Sequence, residues 1–240
     1  MNILIIIMEL FENTLYINLD SRKDRLNHVN GELQKMKING ERVSAIKTTD
    51  GAIGCTLSHI KCLELAKSRG YKQTFICEDD IDFKDPELYT ENLIKFHKNK
   101  EINWDILIVG GNNVPPYHAV NDYCIRILNC QTTTGYIVKQ HMYDILIANF
   151  KESATNLTND PNNKRNYALD IYWKRLQPQY YWYMLIPPTV SQYESYSDIE
   201  KKNVKYDWLM LDNEKEWYVK QQQKIKMNMQ SQKQVRFQDT

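Results

Sequence analysis

Residues 74–83 read TFICEDDIDF, and this stretch indicates the fold more clearly than any other part of the chain. Residues 74–77 form a short apolar run with the length and composition of a fully buried strand. Four carboxylates then follow within five residues, at Glu78, Asp79, Asp80 and Asp82. The sequence therefore predicts a buried strand that ends in an acidic turn.

Apolar runs and helical patterns alternate on both sides of this strand. Residues 15–19 form another strand-like run, and the charged segment 22–37 carries apolar residues three and four positions apart, as in an amphipathic helix. Further strands are predicted at 42–46, 104–109, 124–128, 135–138 and 181–186, and further helices before Ser68, after Pro86, and at 142–150 and 168–176. This alternation predicts an α/β fold, with a mixed, largely parallel sheet flanked by helices. The Asn-rich segment 153–166 is predicted to be a loop.

Composition places the chain among globular proteins and excludes some partners. Its 240 residues are 42% apolar and 25% charged, the balance of a single folded domain. The 31 basic and 30 acidic residues leave a net charge of +1, so the chain has no overall positive field for nucleic acid. Five cysteines without paired C-x-x-C spacing suit a reducing compartment and argue against a structural zinc site.

The N-terminal apolar run at residues 3–8 is the longest in the chain. It is far shorter than the roughly 20 residues that cross a bilayer, and it lacks the flanks of a signal peptide. We expect it to be an N-terminal extension, with no integral membrane segment and a cytoplasmic location.

The acidic turn suggests a bound cation. Carboxylates crowded at the end of a buried strand repel one another and lose solvation, and a hard divalent ion such as Mn²⁺ or Mg²⁺ relieves both costs. In an extended continuation Glu78, Asp80 and Asp82 would share one face, with Asp79 on the other. The alternative is a solvated acidic loop that caps the helix after Pro86.

Four stretches, in order, resemble glycosyltransferase family 25, which includes lipooligosaccharide galactosyltransferases and collagen galactosyltransferase domains. They are YINLDSRKDR (16–25), GAIGCTLSH (51–59), ICEDDIDF (76–83) and, more weakly, the set WDIL (104–107), TTGYIV (133–138) and SYSDI (195–199). The resemblance spans residues 15–199 and implies a GT-A-like fold. The predicted domains are accordingly a GT-A-like glycosyltransferase domain at 1–200 and a polar, Lys/Gln-rich extension at 201–240.

This resemblance also implies an activity. The expected reaction transfers a hexose, galactose or glucose, from a UDP-sugar to a hydroxyl of a glycan, a lipid-linked saccharide or a protein, with inversion and with Mn²⁺ or Mg²⁺. Lipopolysaccharide biosynthesis in a bacterial or viral setting is consistent with it. Two positions depart from the family pattern: Gly135 replaces a usual alanine, and Gln192 stands where a histidine metal ligand is often found.

The acidic-turn argument and the family resemblance together predict roles for individual residues. Asp80 and Asp82 are predicted to bind the metal, and the resemblance adds Gln192 as the third ligand. The predicted contacts to the nucleotide sugar are Asn18, Arg22, Arg25, Ser58, His59 and Glu78. Asn18 and Arg22 follow the first strand, Arg25 can reach a phosphate, and Glu78 would bind the ribose or a metal-bound water. Because family members carry an aspartate in a comparable helix, Asp170 is the candidate general base.

Two other functions fit an acidic strand end. One is a metal-dependent phosphohydrolase or nucleotidyltransferase, and the other is an inactive relative that binds a sugar nucleotide without turnover. A serine hydrolase is disfavoured, because the glycine pattern of a nucleophile elbow is missing around Ser58.

Overall fold

The computed structural model describes residues 3–197, 199–225 and 227. In chain order, the strands within these residues are β1 (Thr14–Asn18), β2 (Gly40–Ser44), β3 (Gln73–Glu78), β4 (Ile81–Phe83), β5 (Ile106–Asn113), β6 (Tyr117–Ala119), β7 (Cys124–Ile127), β8 (Cys130–Lys139), β9 (Trp182–Leu185), β10 (Val190–Gln192), β11 (Ser195–Ser197) and β12 (Lys202–Val204). Eight of them form one sheet, in the order β2-β1-β3-β8-β5-β9-β7-β6. β4 pairs with β10, and β11 pairs with β12.

The central sheet is mixed, and most of its strands share one direction. β1 is parallel to β2 and β3, and β5 is parallel to β9. β8 runs antiparallel between β3 and β5, β7 runs antiparallel to β9, and β6 runs antiparallel to β7. Therefore β1, β2, β3, β5, β6 and β9 point one way, and only β7 and β8 point the other.

Helices cover both faces of the sheet. They are α1 (Ile3–Phe11), α2 (Lys23–Lys35), α3 (Gly51–Ser68), α4 (Pro86–Lys98), α5 (Tyr143–Asn159), α6 (Lys164–Tyr167), α7 (Leu169–Tyr172) and α8 (Asp207–Met210), and residues 216–225 are also helical. Side chains fix two of their starts: Asp50 accepts the amide of Ala52 at 2.8 Å, and Asp85 accepts the amide of Leu88 at 3.0 Å. The predicted α/β fold with a mixed sheet flanked by helices is confirmed.

Two apolar cores lie on opposite faces of the sheet, and the alternation along β3 separates them. Ile76 belongs to the core under α3 and α5, whereas Phe75 and Cys77 belong to the core under α1, α2 and α4. All three side chains have no solvent exposure. The predicted fully buried strand is therefore present and ends at Glu78.

The structure differs from the sequence-based expectation at α1 and at α5. Helix α1 packs into the second core, where Phe11 meets Phe75 edge-to-face at 4.9 Å between ring centroids, so this segment is part of the fold. Helix α5 continues to Asn159, through part of the predicted loop 153–166. It does so because Leu157 is fully buried and Ser153 donates to the carbonyl of Tyr167 at 2.7 Å.

The segment beyond residue 200 is only partly described. Met210 on α8 is buried, and residues 216–225 form a helix with mostly exposed side chains. Residue 226 and residues 228–240, which complete the predicted Lys/Gln-rich tail, lie outside the described residues. Among the helices that are described, none combines the length and apolar character that a bilayer crossing requires.

Candidate active site

A cavity of about 470 Å³ opens where β1 and β3 end. Ligands of open α/β sheets bind beyond the carboxyl ends of parallel strands, and this cavity has that position. Its walls come from residues that follow β1, the loop and first turns of α3, the turn after β3, the start of β8, the segment around α7, Gln192 and residues 197–210. The sheet thus gathers segments that are far apart in the chain.

The acidic turn forms one wall of the cavity. β3 ends at Glu78, Asp79 and Asp80 form a turn, and the chain re-enters a strand at Ile81 because β4 pairs with β10. Glu78, Asp79 and Asp80 all line the cavity. The turn therefore places three consecutive carboxylates at the site, whereas the sequence analysis expected an extended continuation with Asp79 facing away.

Arg25 is the main cation bound to this turn. Its Nη1 donates to a carboxylate oxygen of Asp79 and to one of Asp80, both at 3.0 Å. Its Nη2 donates to Ser195 Oγ at 2.8 Å, which ties β11 to the turn. Gln192 Nε2 donates to Asp80 at 3.4 Å, so Gln192 lies beside Asp80, and its predicted role as a metal ligand stays a prediction.

Burial makes Asp80 difficult to ionise without a further cation. Desolvation and the neighbouring charge of Glu78 outweigh Arg25 and raise the pKa of Asp80 to about 7. Desolvation also raises the pKa of Asp79, against the opposing effect of Arg25. One guanidinium therefore does not fully compensate the negative charge of the turn.

Asp82 is the predicted metal ligand that the structure separates from the others. Its carboxylate pairs with Lys84 Nζ at 2.7 Å, and Asp82 is not among the described residues that line the cavity. The reason is the turn at 79–80, which breaks the alternation on which the Asp80/Asp82 pair was based. The structure thus places Asp82 apart from the cavity residues, and its role as a metal ligand stays a prediction that this position does not favour.

Asn18 is also placed differently from its predicted role. It is fully buried at the end of β1, donates to Asp79 Oδ2 at 2.7 Å and accepts from Arg42 Nε at 3.0 Å. It does not appear among the described cavity-lining residues. Its Nδ2 also donates to the carbonyl of Arg22 at 3.0 Å, so both amide hydrogens are used within the fold and one of them orients Asp79.

Arg22 and Ser58 do line the cavity. Arg22 forms a bidentate ion pair with Asp24 and donates to the carbonyl of Tyr196 at 3.0 Å. Ser58 donates to the carbonyl of Gly54 at 2.7 Å and accepts the amide of Ile46 at 2.8 Å. Ser58 thus fastens α3 to the preceding loop, and Arg22 fastens the start of α2 to β11.

His59 lies beneath the acidic turn with no solvent exposure. Its Nδ1 is 3.1 Å from the Tyr136 hydroxyl, and its Nε2 is 3.3 Å from Glu78 Oε1. Thr133 Oγ1 donates to the same Glu78 oxygen at 2.6 Å. Burial opposes ionisation of Glu78, but the hydrogen bonds and charge of these neighbours lower its pKa below the ordinary value.

Asp170, the second residue of helix α7, lines the cavity and accepts the Thr132 amide at 3.0 Å. Desolvation raises its pKa above the ordinary value, with the Thr132 amide and Lys174 opposing the shift. Since Thr132 and Thr133 are consecutive, they bring Asp170 and Glu78 to one wall. The sequence analysis proposed Asp170 but gave no sign of this link.

Thr132 itself has a strained backbone. Its φ of +76° is in the left-handed region, which a β-branched residue rarely adopts. The pairing of β5 with β8 also shifts register close to this point. Such strain and irregular pairing are concentrated at functional sites, so the geometry favours a functional role for this corner of the cavity.

Sequence reasoning missed two further parts of the site. Cys55 lines the cavity one helical turn before His59, and the i, i+4 spacing on α3 was the available signal. Val204, Leu209 and Met210 line the cavity from beyond residue 200. No local pattern predicts that approach, because it depends on tertiary packing.

Comparison with known proteins finds a family profile that matches the middle of the chain. The sequence profile described as glycosyltransferase family 25 (LPS biosynthesis protein) matches residues 47–161, which confirms the resemblance inferred from the motifs. This range includes α3, the acidic turn and Thr132. It ends before Asp170 and Gln192.

Curated relatives carry the same family name together with the word inactive. The chain is 33% identical over 73 residues to "Inactive glycosyltransferase 25 family member 3" of Mus musculus, covering 30% of this chain and 12% of that protein. It is 24% identical over 135 residues to the protein of that name from Homo sapiens, covering 44% of this chain and 23% of that one. The chain thus spans less than a quarter of the length of these relatives.

A solved structure matches the fold over most of both chains. It is the crystal structure of a glycosyltransferase involved in the glycosylation of the major capsid of PBCV-1. The TM-score is 0.51 at 9% identity, with 79% of this chain and 95% of that chain covered. At this identity the likeness concerns the fold alone, and it agrees with the GT-A-like architecture expected from sequence.

Proposed function

We propose that this glycosyltransferase family 25 domain transfers a hexose, galactose or glucose, from a UDP-sugar to a hydroxyl of a glycan, a lipid-linked saccharide or a protein. One observation carries the proposal: the acidic turn and a separate carboxylate, Asp170, line the same cavity. Transfer to a hydroxyl needs these two elements, a site for the nucleoside diphosphate and a base for the acceptor.

The residues present fit a divalent cation, Mn²⁺ or Mg²⁺. Asp79, Asp80 and Gln192 offer oxygen ligands, the type that these hard ions prefer, and Asp80 retains a raised pKa beside Arg25. Asp80 would hold the ion, with Gln192 after rotation of its amide. When bound, the ion would neutralise the negative charge that develops on the departing diphosphate.

The chain's own cations would complete the diphosphate site. Arg25 lines the cavity beside Asp79 and Asp80, so its guanidinium would place a positive charge next to a phosphate bound at the acidic turn. Arg22 lines the same side of the cavity. Ser58 positions the loop before α3, and His59 positions Glu78. Glu78 would then be the residue of this group that binds the sugar nucleotide.

Asp170 would act as the general base. It would accept the proton of the acceptor hydroxyl while the oxygen forms its bond to the anomeric carbon. The bond from that carbon to the diphosphate breaks, and its electron pair leaves with the diphosphate. A single displacement of this kind inverts the configuration, and desolvation raises the pKa of Asp170, which makes its carboxylate a stronger base.

A second candidate function is sugar-nucleotide binding without transfer. The names of the curated relatives, which include the word inactive, favour it. Such a protein would retain the cavity and the acidic turn, so binding alone does not separate the two functions. Turnover does.

A donor screen tests the proposed function. The protein is incubated with UDP-galactose, UDP-glucose and other sugar nucleotides, with and without Mn²⁺, and the products are identified by mass spectrometry. We expect slow, Mn²⁺-dependent release of UDP from one hexose donor, with a product heavier by one hexose when an acceptor is present. Saturable binding without UDP release would favour the inactive relative, and release of inorganic phosphate would contradict both.

A further inference from the structure

We propose that Cys55, His59 and Glu78 form a second metal site, selective for a thiophilic divalent ion such as Zn²⁺, on the floor of the cavity. Each of the three offers one ligand atom, and these atoms lie within 4.8 Å of one another. All three residues line the cavity, so an ion can enter from solvent and retain an open position. This site is distinct from the oxygen-only group around Asp80.

The donor set determines which ion is preferred. A thiolate, an imidazole nitrogen and a carboxylate oxygen are three ligand types of zinc, and three protein ligands with one open position are typical of exposed zinc sites. Mn²⁺ and Mg²⁺ prefer oxygen ligands, so a thiolate disfavours them. We therefore expect Mn²⁺ or Mg²⁺ to bind at the oxygen ligands around Asp80, and a thiophilic ion such as Zn²⁺ to bind at Cys55.

The separation of the ligand atoms is compatible with binding after small movements. Zinc bonds of roughly 2.0–2.3 Å bring tetrahedral ligand atoms closer together than the present limit of 4.8 Å. His59 is fully buried and fixed, whereas Cys55 and Glu78 are only half-buried. The Glu78 oxygen already lies 3.3 Å from His59 Nε2, so rotation of the Cys55 side chain toward this pair is the main movement required.

The surroundings of His59 already orient it as a ligand. Tyr136 stacks on the imidazole at 5.7 Å between centroids, and its hydroxyl is 3.1 Å from Nδ1. For His59 to bind an ion through Nε2, its proton must lie on Nδ1, where the Tyr136 hydroxyl can accept it, and the ion would then replace the present 3.3 Å contact of Nε2 with Glu78 Oε1. Thr133 fixes the Glu78 carboxylate at 2.6 Å, and such outer contacts are typical supports of metal ligands.

Binding of a divalent ion at this site releases one proton, from the thiol of Cys55. The thiol of Cys55 releases its proton to solvent as the sulfur–metal bond forms, while His59 binds as a neutral imidazole and Glu78 as a carboxylate. No oxidant or reductant takes part.

The bound ion would share Glu78 with the sugar-nucleotide site and would therefore inhibit transfer. This consequence rests on the proposed function, whereas the metal site does not.

Cobalt spectroscopy tests the site without any sugar donor. Co²⁺ is titrated into the protein with excess Mg²⁺ present to occupy the oxygen site, and the near-ultraviolet thiolate-to-cobalt charge-transfer band is recorded. We expect the band in the wild type and in Cys62→Ser, whose thiol lies on the same helix but in the core, and we expect it to be absent in Cys55→Ser. Unchanged melting temperatures establish that the variants fold. A missing band in the wild type, or an equal band in Cys55→Ser, would overturn the site.

Zinc inhibition tests the consequence separately. If the domain is an active transferase, the zinc concentration that halves Mn²⁺-supported transfer should rise at least about tenfold in Cys55→Ser, the least effect expected for loss of a direct ligand. Equal inhibition of both proteins would overturn the inhibitory role even where the cobalt band is present. Failure of the donor screen would remove the transfer assay and leave the spectroscopic result intact.

Discussion

Replacing Asp80 with asparagine is expected to lower the turnover number of sugar transfer by on the order of 10²–10³-fold, the usual cost of losing one group that stabilises developing charge. The substitution retains the shape of the side chain and removes the charge that would hold the divalent ion. Transfer is measured as UDP release from the donor that the screen identifies, at saturating Mn²⁺.

Asp82→Asn is the matched control. Asp82 is two positions away and pairs with Lys84 outside the cavity, so its variant loses an ion pair but no cavity group and should retain transfer within about a factor of three of the wild type. An equal loss in both variants would restore the Asp80/Asp82 pair predicted from sequence. Full activity in Asp80→Asn would contradict the metal assignment itself.

The same Asp80 variant should be more stable than the wild type when no metal is present. The carboxyl of Asp80 has a pKa of about 7 in the fold, against 3.8 for an unperturbed aspartate. Folding therefore favours the protonated form, and the wild type loses stability as the pH rises from about 4 through 7, whereas Asp80→Asn does not. We expect the melting temperature of the variant to exceed that of the wild type at pH 8 and to approach it at pH 4. A lower melting temperature at pH 8 would show that the carboxylate is not under electrostatic strain.

Asp170→Asn is expected to reduce the turnover number on the order of 10²–10⁴-fold, the range of general-base catalysis, with little change in the KM for the donor. The asparagine can still accept the Thr132 amide through its oxygen, so the local structure is retained. In the wild type, transfer should fall as the pH drops below the raised pKa of Asp170, and this acid limb should be missing in the variant.

Asp144→Asn serves as the control for Asp170. Asp144 lies on α5, is 71% exposed and pairs with Lys67 on the surface. Its variant should match the wild type in both the turnover number and the pH profile. If Asp170→Asn turns over at the wild-type rate, another group deprotonates the acceptor.

The buried strand and the acidic turn could be predicted from sequence because both are local. An apolar run followed by carboxylates requires no knowledge of distant contacts, and the ordered motifs from Tyr16 onward added the family. Asp170 could be proposed only through that resemblance. Its link to Glu78 through Thr132 and Thr133 depends on how β8 lies in the sheet.

The placement of Asp79 and Asp82 differs from the prediction for one reason, the assumption that the strand continues past Glu78. The pairing of β4 with β10 ends it there, and this pairing joins residues more than a hundred positions apart. Asp79 consequently enters the site and Asp82 leaves it. Similarly, Asn18 follows the first strand as predicted, but burial directs its amide to Asp79 and away from the cavity.

A crystal soaked with Mn²⁺ and UDP tests the central claim most directly. Anomalous difference density at the manganese edge should give a peak within coordination distance of an Asp80 carboxylate oxygen, with an oxygen of the UDP diphosphate as another ligand. UDP bound in the cavity with no manganese beside Asp80, or manganese and UDP at some other place on the protein, would contradict the account.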